Sequence, residues 1–139
     1  NLNKFDNVTV LNVLSLAKQE MLNFIVSDDY DYPEDILIDH KDHVRFYSNE
    51  INFDIPDDKL FNLINNNKKQ IVFLDSAGGV GYLEYLKFLS INPEFLKNKV
   101  LMLDDVKHVK HYRSVLDLKQ RNDIEKLKEY HRFCVATFK

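Results

Sequence analysis

The sequence predicts an α/β domain with a mostly parallel sheet flanked by helices. Two short, continuously apolar runs, IVFLD at 71–75 and KVLMLDD at 99–105, have the length and branched content of strands buried on both faces. Between them, YLEYLKFL at 82–89 carries apolar residues at helical spacing. A chain of 139 residues with 45% hydrophobic content is enough for one domain with its own core. Strands alternating with helices select a layered architecture in which helices cover the sheet.

From the N-terminus, VTVLNVLSLAKQEML (8–22) is apolar throughout, with its best helical spacing from Val13 to Leu22. LNFIVSDDY (22–30) reads as a short strand that runs into a loop at the pair Asp28-Asp29. The acidic stretch 28–42 predicts a loop with one turn of helix after Pro33, and VRFYS (44–48) predicts a strand. In 53–67, Asp54 or Pro56 opens a helix that the Asn65–Asn67 run ends. Pro93 falls in the connection after the 82–89 helix, residues 107–130 read as one or two helices, and RFCVATF (132–138) closes the chain as a strand.

Charge is unevenly placed. Residues 1–70 hold 7 basic and 13 acidic side chains, whereas 107–139 hold 9 basic against 4 acidic. A basic C-terminal third either solvates helix faces or meets an anionic partner. Nucleic acid fits poorly, because the 17 aromatic residues fall mainly in apolar runs and only Tyr112 and Tyr130 lie among basic residues. Cys134, alone in an apolar run, reads as a buried small hydrophobe, and a single cysteine allows no disulfide within the chain. No run of 18 apolar residues and no signal peptide occur, so a cytoplasmic location without membrane contact is expected. The chain begins at Asn1 rather than Met, which leaves room for a segment upstream.

Three apolar runs end in carboxylates: at Asp28 and Asp29, at Asp75, and at Asp104 and Asp105. Ligands of open parallel sheets sit at the carboxyl ends of the strands. If the last two strands are neighbours, Asp75, Asp104 and Asp105 converge. Carboxylates so close repel unless one is protonated or a cation lies among them. All-oxygen ligation favours Mg²⁺, Mn²⁺ or Ca²⁺ over zinc.

The block VFLDSAGGVGYLEYLKFLSINPEFLKNKVLMLDDVKH (72–108) resembles the second half of class I S-adenosylmethionine-dependent O-methyltransferases. It looks most like the metal-dependent groups related to catechol O-methyltransferase and macrocin O-methyltransferase. The resemblance implies a Rossmann-like sheet finished by an antiparallel strand, here RFCVATF. It also implies Mg²⁺ (or Mn²⁺) held by Asp75, Asp104 and Asp105, S-adenosylmethionine as cofactor, and a hydroxylated small molecule as methyl acceptor. A second alignment places D-S-A-G-G-V-G on the family's cofactor loop, with Asp75 on the cofactor and Asp104 on its ribose. Only 34 residues follow Asp105, too few for the strands that alignment requires, so Asp75 is expected to be a metal ligand and Gly78, Gly79 and Gly81 a turn. Asp28 or Asp29 is then the acid expected at the ribose.

No glycine precedes Gly78, so the family's glycine-rich loop lies upstream of Asn1 or has been lost. The catechol branch places a lysine three residues beyond the first Asp, where this chain has Gly78. The general base is therefore expected from His108 or His111, whose i, i+3 spacing puts them on one helix face alongside Lys107 and Lys110. His40 and His43 fall in the acidic loop and read as solvated. A non-catalytic methyltransferase-like module, whose basic C-terminal helices hold an anionic partner, is the competing expectation. A receiver-like domain fits less well, because its acid pair precedes the single Asp.

Overall fold

The computed structural model describes residues 8, 15–36, 45, 48, 49, 59–76 and 78–139. Among the described residues, the elements with defined bounds run from helix α1 (Lys18–Ser27) to helix α2 (Lys59–Ile64), strand β1 (Gln70–Leu74), helix α3 (Gly81–Leu89) and the single turn α4 (Pro93–Leu96). Strand β2 (Lys99–Leu103), helix α5 (Tyr112–Gln120), and strands β3 (Ile124–Glu129) and β4 (Cys134–Phe138) complete it. The four strands form one sheet in the order β1-β2-β4-β3.

β1 and β2 are parallel, as the helix between them requires. β4 is antiparallel to both β2 and β3, so two of the three strand pairings are antiparallel and the expected mostly parallel sheet is instead mixed. The expected antiparallel C-terminal strand is present, and it lies inside the sheet between β2 and β3. β3 replaces the end of the helical region expected over 107–130. Its inward residues Ile124 and Leu127 stand three apart, a spacing that mimics a helix face. A register shift between Ile124 and Lys126 puts both on the inner side of a strand.

The predicted strand over 22–30 is also corrected, since its apolar part belongs to α1. Met21 and Ile25, one helical turn apart, are buried together with Leu16 against Val80. A uniformly apolar run does not distinguish helix from strand, and burial of one stripe settles it here. After Pro33 the chain makes the expected turn, with the Ile36 amide donating to the Pro33 carbonyl at 2.8 Å. The strand expected at 44–48 lies largely outside the described residues, and Arg45 and Ser48 are helical. Of the helix expected over 53–67, the described part is α2.

The core lies on one face of the sheet. Leu101, Leu103, Cys134, Ala136 and Phe138 meet Tyr85 and Phe88 of α3 and Val115 and Leu118 of α5. Each of the large side chains contributes roughly 1.5–3 kcal/mol through burial. The Tyr85 hydroxyl donates to Asp117 at 2.5 Å and ties the two helices together. Cys134 is fully buried, and desolvation pushes its thiol up to about 12, which makes it unreactive. The buried Lys99 ammonium donates to the carbonyls of Asn66 and Lys68 and to the Gln70 side chain, which fixes the start of β2. On the opposite face, Ile71 and Phe73 are 69% and 55% exposed, so the described residues cover β1 on one side only. Among the described residues, no helix is long and apolar enough to cross a membrane.

Gly81 opens α3 directly against the backbone of residue 110, and a Cβ there would overlap the Lys110 carbonyl oxygen. Neither backbone yields cheaply. Gly81→Ala is therefore expected to destabilise the protein by about 2 kcal/mol or more, read as a lower urea midpoint with unchanged slope. A variant as stable as the parent would show that this approach is not tight.

Candidate metal centre at the strand tips

The parallel register pairs Leu74 with Leu103, and the Asp104 amide extends the ladder by donating to the Leu74 carbonyl at 3.1 Å. Asp75, Asp104 and Asp105 therefore leave the sheet side by side. One carboxylate oxygen from each lies within 4.8 Å of the others, which is the convergence expected from the sequence. The chain has to turn sharply past both tips. Gly78 does so with φ of 48°, leading into a 3₁₀ turn at Gly78–Val80. Asp105 does so with φ of 50°, a left-handed conformation that Asp tolerates better than most residues. The next amide, Val106, donates to the Arg132 carbonyl at 2.9 Å and joins this turn to the one between β3 and β4.

Two cationic side chains meet the three acids. Lys110 Nζ donates to Asp75 at 2.7 Å and to Asp105 at 2.9 Å. Arg132 donates from Nε and Nη2 to the two oxygens of Asp104, at 2.9 and 2.7 Å, and its Nε lies 3.1 Å from Asp105. The arginine bonds hold the Asp104 carboxyl below the usual carboxylate range, with burial opposing them. Burial is the largest influence on Lys110 and lowers its pKa, but the bonds to Asp75 and Asp105 together outweigh it and the net shift is upward. The cluster retains one more negative than positive charge. Asp75 is half exposed at 54%, so it opens the cluster to solvent.

The structure separates the sequence candidates. Lys110 is a protonated clamp on the cluster and not a base. His108 and His111 precede α5 in a series of turns, so they do not share a helix face. His108 Nδ1 accepts from the Lys110 amide at 3.3 Å, which leaves Nε2 to carry the proton of the neutral ring. Burial lowers the pKa of His108 and keeps it neutral. It is thus set as a donor and not as a base. His111 is completely buried, with Nδ1 3.2 Å from the Ser114 hydroxyl. Its Nε2 has no well-formed bond among the described residues, and the Leu74 carbonyl facing the ring already serves the Asp104 amide.

Asp28 and Asp29 end a helix rather than a strand and do not join the cluster. Asp28 is buried and paired with Arg113 at 2.7 Å. The Arg113 guanidinium stacks between Tyr30 and Tyr82, 4.5 and 4.0 Å from their ring centres. Asp28 thus anchors the segment after α1, while Asp29 is exposed. His40 and His43 lie outside the described residues. In the basic C-terminal third, Lys119 pairs with Glu129 and Arg121 with Asp123, so much of its charge is met within the chain. Two residues at the tips were missed from sequence, Arg132 and His131. Neither carries a local signal, because Arg132 stands 28 positions from Asp104 and only the antiparallel return of β4 brings it back.

Burial drops the His111 pKa from its usual 6.5 to about 4. Because the folded value lies below the unfolded one, the unfolded chain takes up the proton first as pH falls. The stabilisation is complete above 6.5 and is lost on descent through about 4, a contribution of about 3 kcal/mol. His111→Leu is expected to flatten this part of the stability–pH curve, measured by urea unfolding across the same range. An unchanged slope would mean that His111 does not titrate as a buried neutral ring.

Comparison of the chain with protein-family models, curated proteins and solved structures returned no match.

Proposed function

We propose that the chain carries the metal-binding half of a Rossmann-like, class I S-adenosylmethionine-dependent O-methyltransferase. In this reading Asp75, Asp104 and Asp105 hold Mg²⁺ or Mn²⁺ beside a hydroxyl of a small-molecule acceptor. The supporting observation is the convergence of three carboxylates within 4.8 Å at the carboxyl edge of a parallel strand pair, where sheets of this kind take ligands. The donor set fits a hard divalent cation, being all oxygen and net negative. A bound ion supplies Lewis acidity toward the acceptor hydroxyl.

The chain's own residues supply the rest. Arg132 is 66% exposed, so it is the cation that an entering ion displaces, releasing Asp104 for ligation. Lys110, with its side chain 11% exposed, has less room and stays beside Asp75 as a fixed positive charge near the developing oxyanion. His131, exposed on the turn before β4 and lining the cavity next to Asp105, accepts the hydroxyl proton.

The residues expected to hold S-adenosylmethionine do not fit it. Asp28 is consumed by Arg113, Asp29 is exposed and outside the strand-tip cluster, and Asp75 belongs to that cluster.

Calorimetric titration of chelator-treated protein with MnCl₂ is expected to show one site. Asp105→Asn, which keeps a residue tolerant of the left-handed turn, is expected to weaken it at least about tenfold. S-adenosylmethionine titrated into the same sample tests the cofactor separately from the metal. Absence of metal binding overturns the site, while metal binding without cofactor uptake overturns methyl transfer and leaves a metal site alone.

A further inference from the structure

A cavity of about 260 Å³ lies at the outer edge of β1, beside α2 and α3. Its walls are mainly apolar: Phe61 and Ile64 of α2, Val72 and Phe73 of β1, and Phe88 of α3. Sites for small molecules usually enclose about 300–1,000 Å³, so this one has room for a body of one or two rings. Phe73 is largely exposed there, and a ring in the cavity would cover it.

Glu84 of α3 supplies the cavity with a fixed, half-buried charge. The hydroxyls of Ser15 and Ser76 donate to its two oxygens, the first from just before α1 and the second, buried, from just past the β1 tip. These bonds hold the carboxylate in place without neutralising it, and each oxygen keeps a lone pair for a further donor. Glu20, in the first turn of α1, adds a second carboxylate to the lining. Among the described residues of the lining, Lys87 is the one cation, and its ammonium stands over the Phe61 ring, 5.2 Å from the centre, rather than on either acid. The lining therefore carries one net negative charge. A neutral ligand would bury Glu84 further without a partner, and an anion would meet two like charges. A cation satisfies the carboxylate with a charge-assisted bond.

We propose that this cavity binds a small organic amine, with one or two apolar rings against Phe61, Val72 and Phe88 and a protonated amino group donating to Glu84. The aromatic wall favours the same charge, since the Phe61 ring already attracts the Lys87 ammonium. The inference is independent of the metal reading, because no residue of the lining belongs to the strand-tip cluster.

The test is an NMR titration of the full chain with phenethylamine at constant neutral pH and ionic strength, compared with the neutral phenethyl alcohol and the anionic hydrocinnamate. Saturable shifts at Ile64, Val72, Leu74 and Phe88 are expected with the amine, at least about tenfold tighter than with the alcohol and tighter still than with the acid. Glu84→Gln keeps the shape of the side chain and removes its charge. It is expected to weaken amine binding about tenfold and to leave alcohol binding unchanged. The ranking of the three probes is read on the unaltered chain, so it holds whether or not that variant folds. No saturable shift with the amine up to about 20 mM overturns the proposal, as do shifts confined to Asp75, Asp104 and Asp105. Equal affinity for amine and alcohol, tighter binding of the acid, or an amine affinity unchanged in Glu84→Gln overturns it as well.

Discussion

The parallel, in-register pairing of β1 with β2 is the constraint on which the tip chemistry depends. It matches Leu74 with Leu103 and lets the Asp104 amide add one more rung to the ladder. Three acids that are far apart in sequence then share one small volume. A shift of one residue in either strand would turn Asp75 and Asp104 to opposite faces, because side chains alternate along a strand. That register is held by burial of Leu101 and Leu103 against α3 and α5, and by the Lys99 ammonium bonded to the carbonyls at the other end. The site is thus set by the core and not by its own loops.

Concentrating carboxylates has an electrostatic cost, and the fold meets it internally. Lys110 comes from the turns before α5 and Arg132 from the turn before β4, so each acid has a cationic partner in the absence of an ion. The two cations differ in freedom. Lys110 is enclosed, with its backbone pressed against Gly81, whereas Arg132 is mostly exposed. A divalent ion entering the cluster competes mainly with the exposed one. The same geometry keeps His108 neutral and oriented as a donor, and it buries His111 under the β1 tip.

Much of this was legible in the sequence wherever one signal dominated. The strands at 71–75 and 99–105 and the helix between them are clean apolar patterns bounded by Gly, Asp and Pro, and the carboxylates at their ends announced the cluster. Legibility failed where two periods coincide. Ile124 and Leu127 carry a helical spacing that a bulge turns into a strand face, and the 22–26 run is apolar enough for either state. Strand direction was hidden as well, because it depends on how the chain returns from α5 and not on the strand's own residues. The same return path brings Arg132 to Asp104, so no local motif could have shown that pair. Burial of His111 and capture of Asp28 by Arg113 are tertiary events of the same kind.

Crystals grown with manganese, measured at the metal's absorption edge, show whether the three acids hold an ion. One anomalous peak is expected about 2.0–2.6 Å from an oxygen of each of Asp75, Asp104 and Asp105, with the Arg132 guanidinium displaced toward solvent. A map without a peak there, in which Lys110 and Arg132 still bridge the three acids, would contradict the metal assignment and make the cluster a structural ion-pair network.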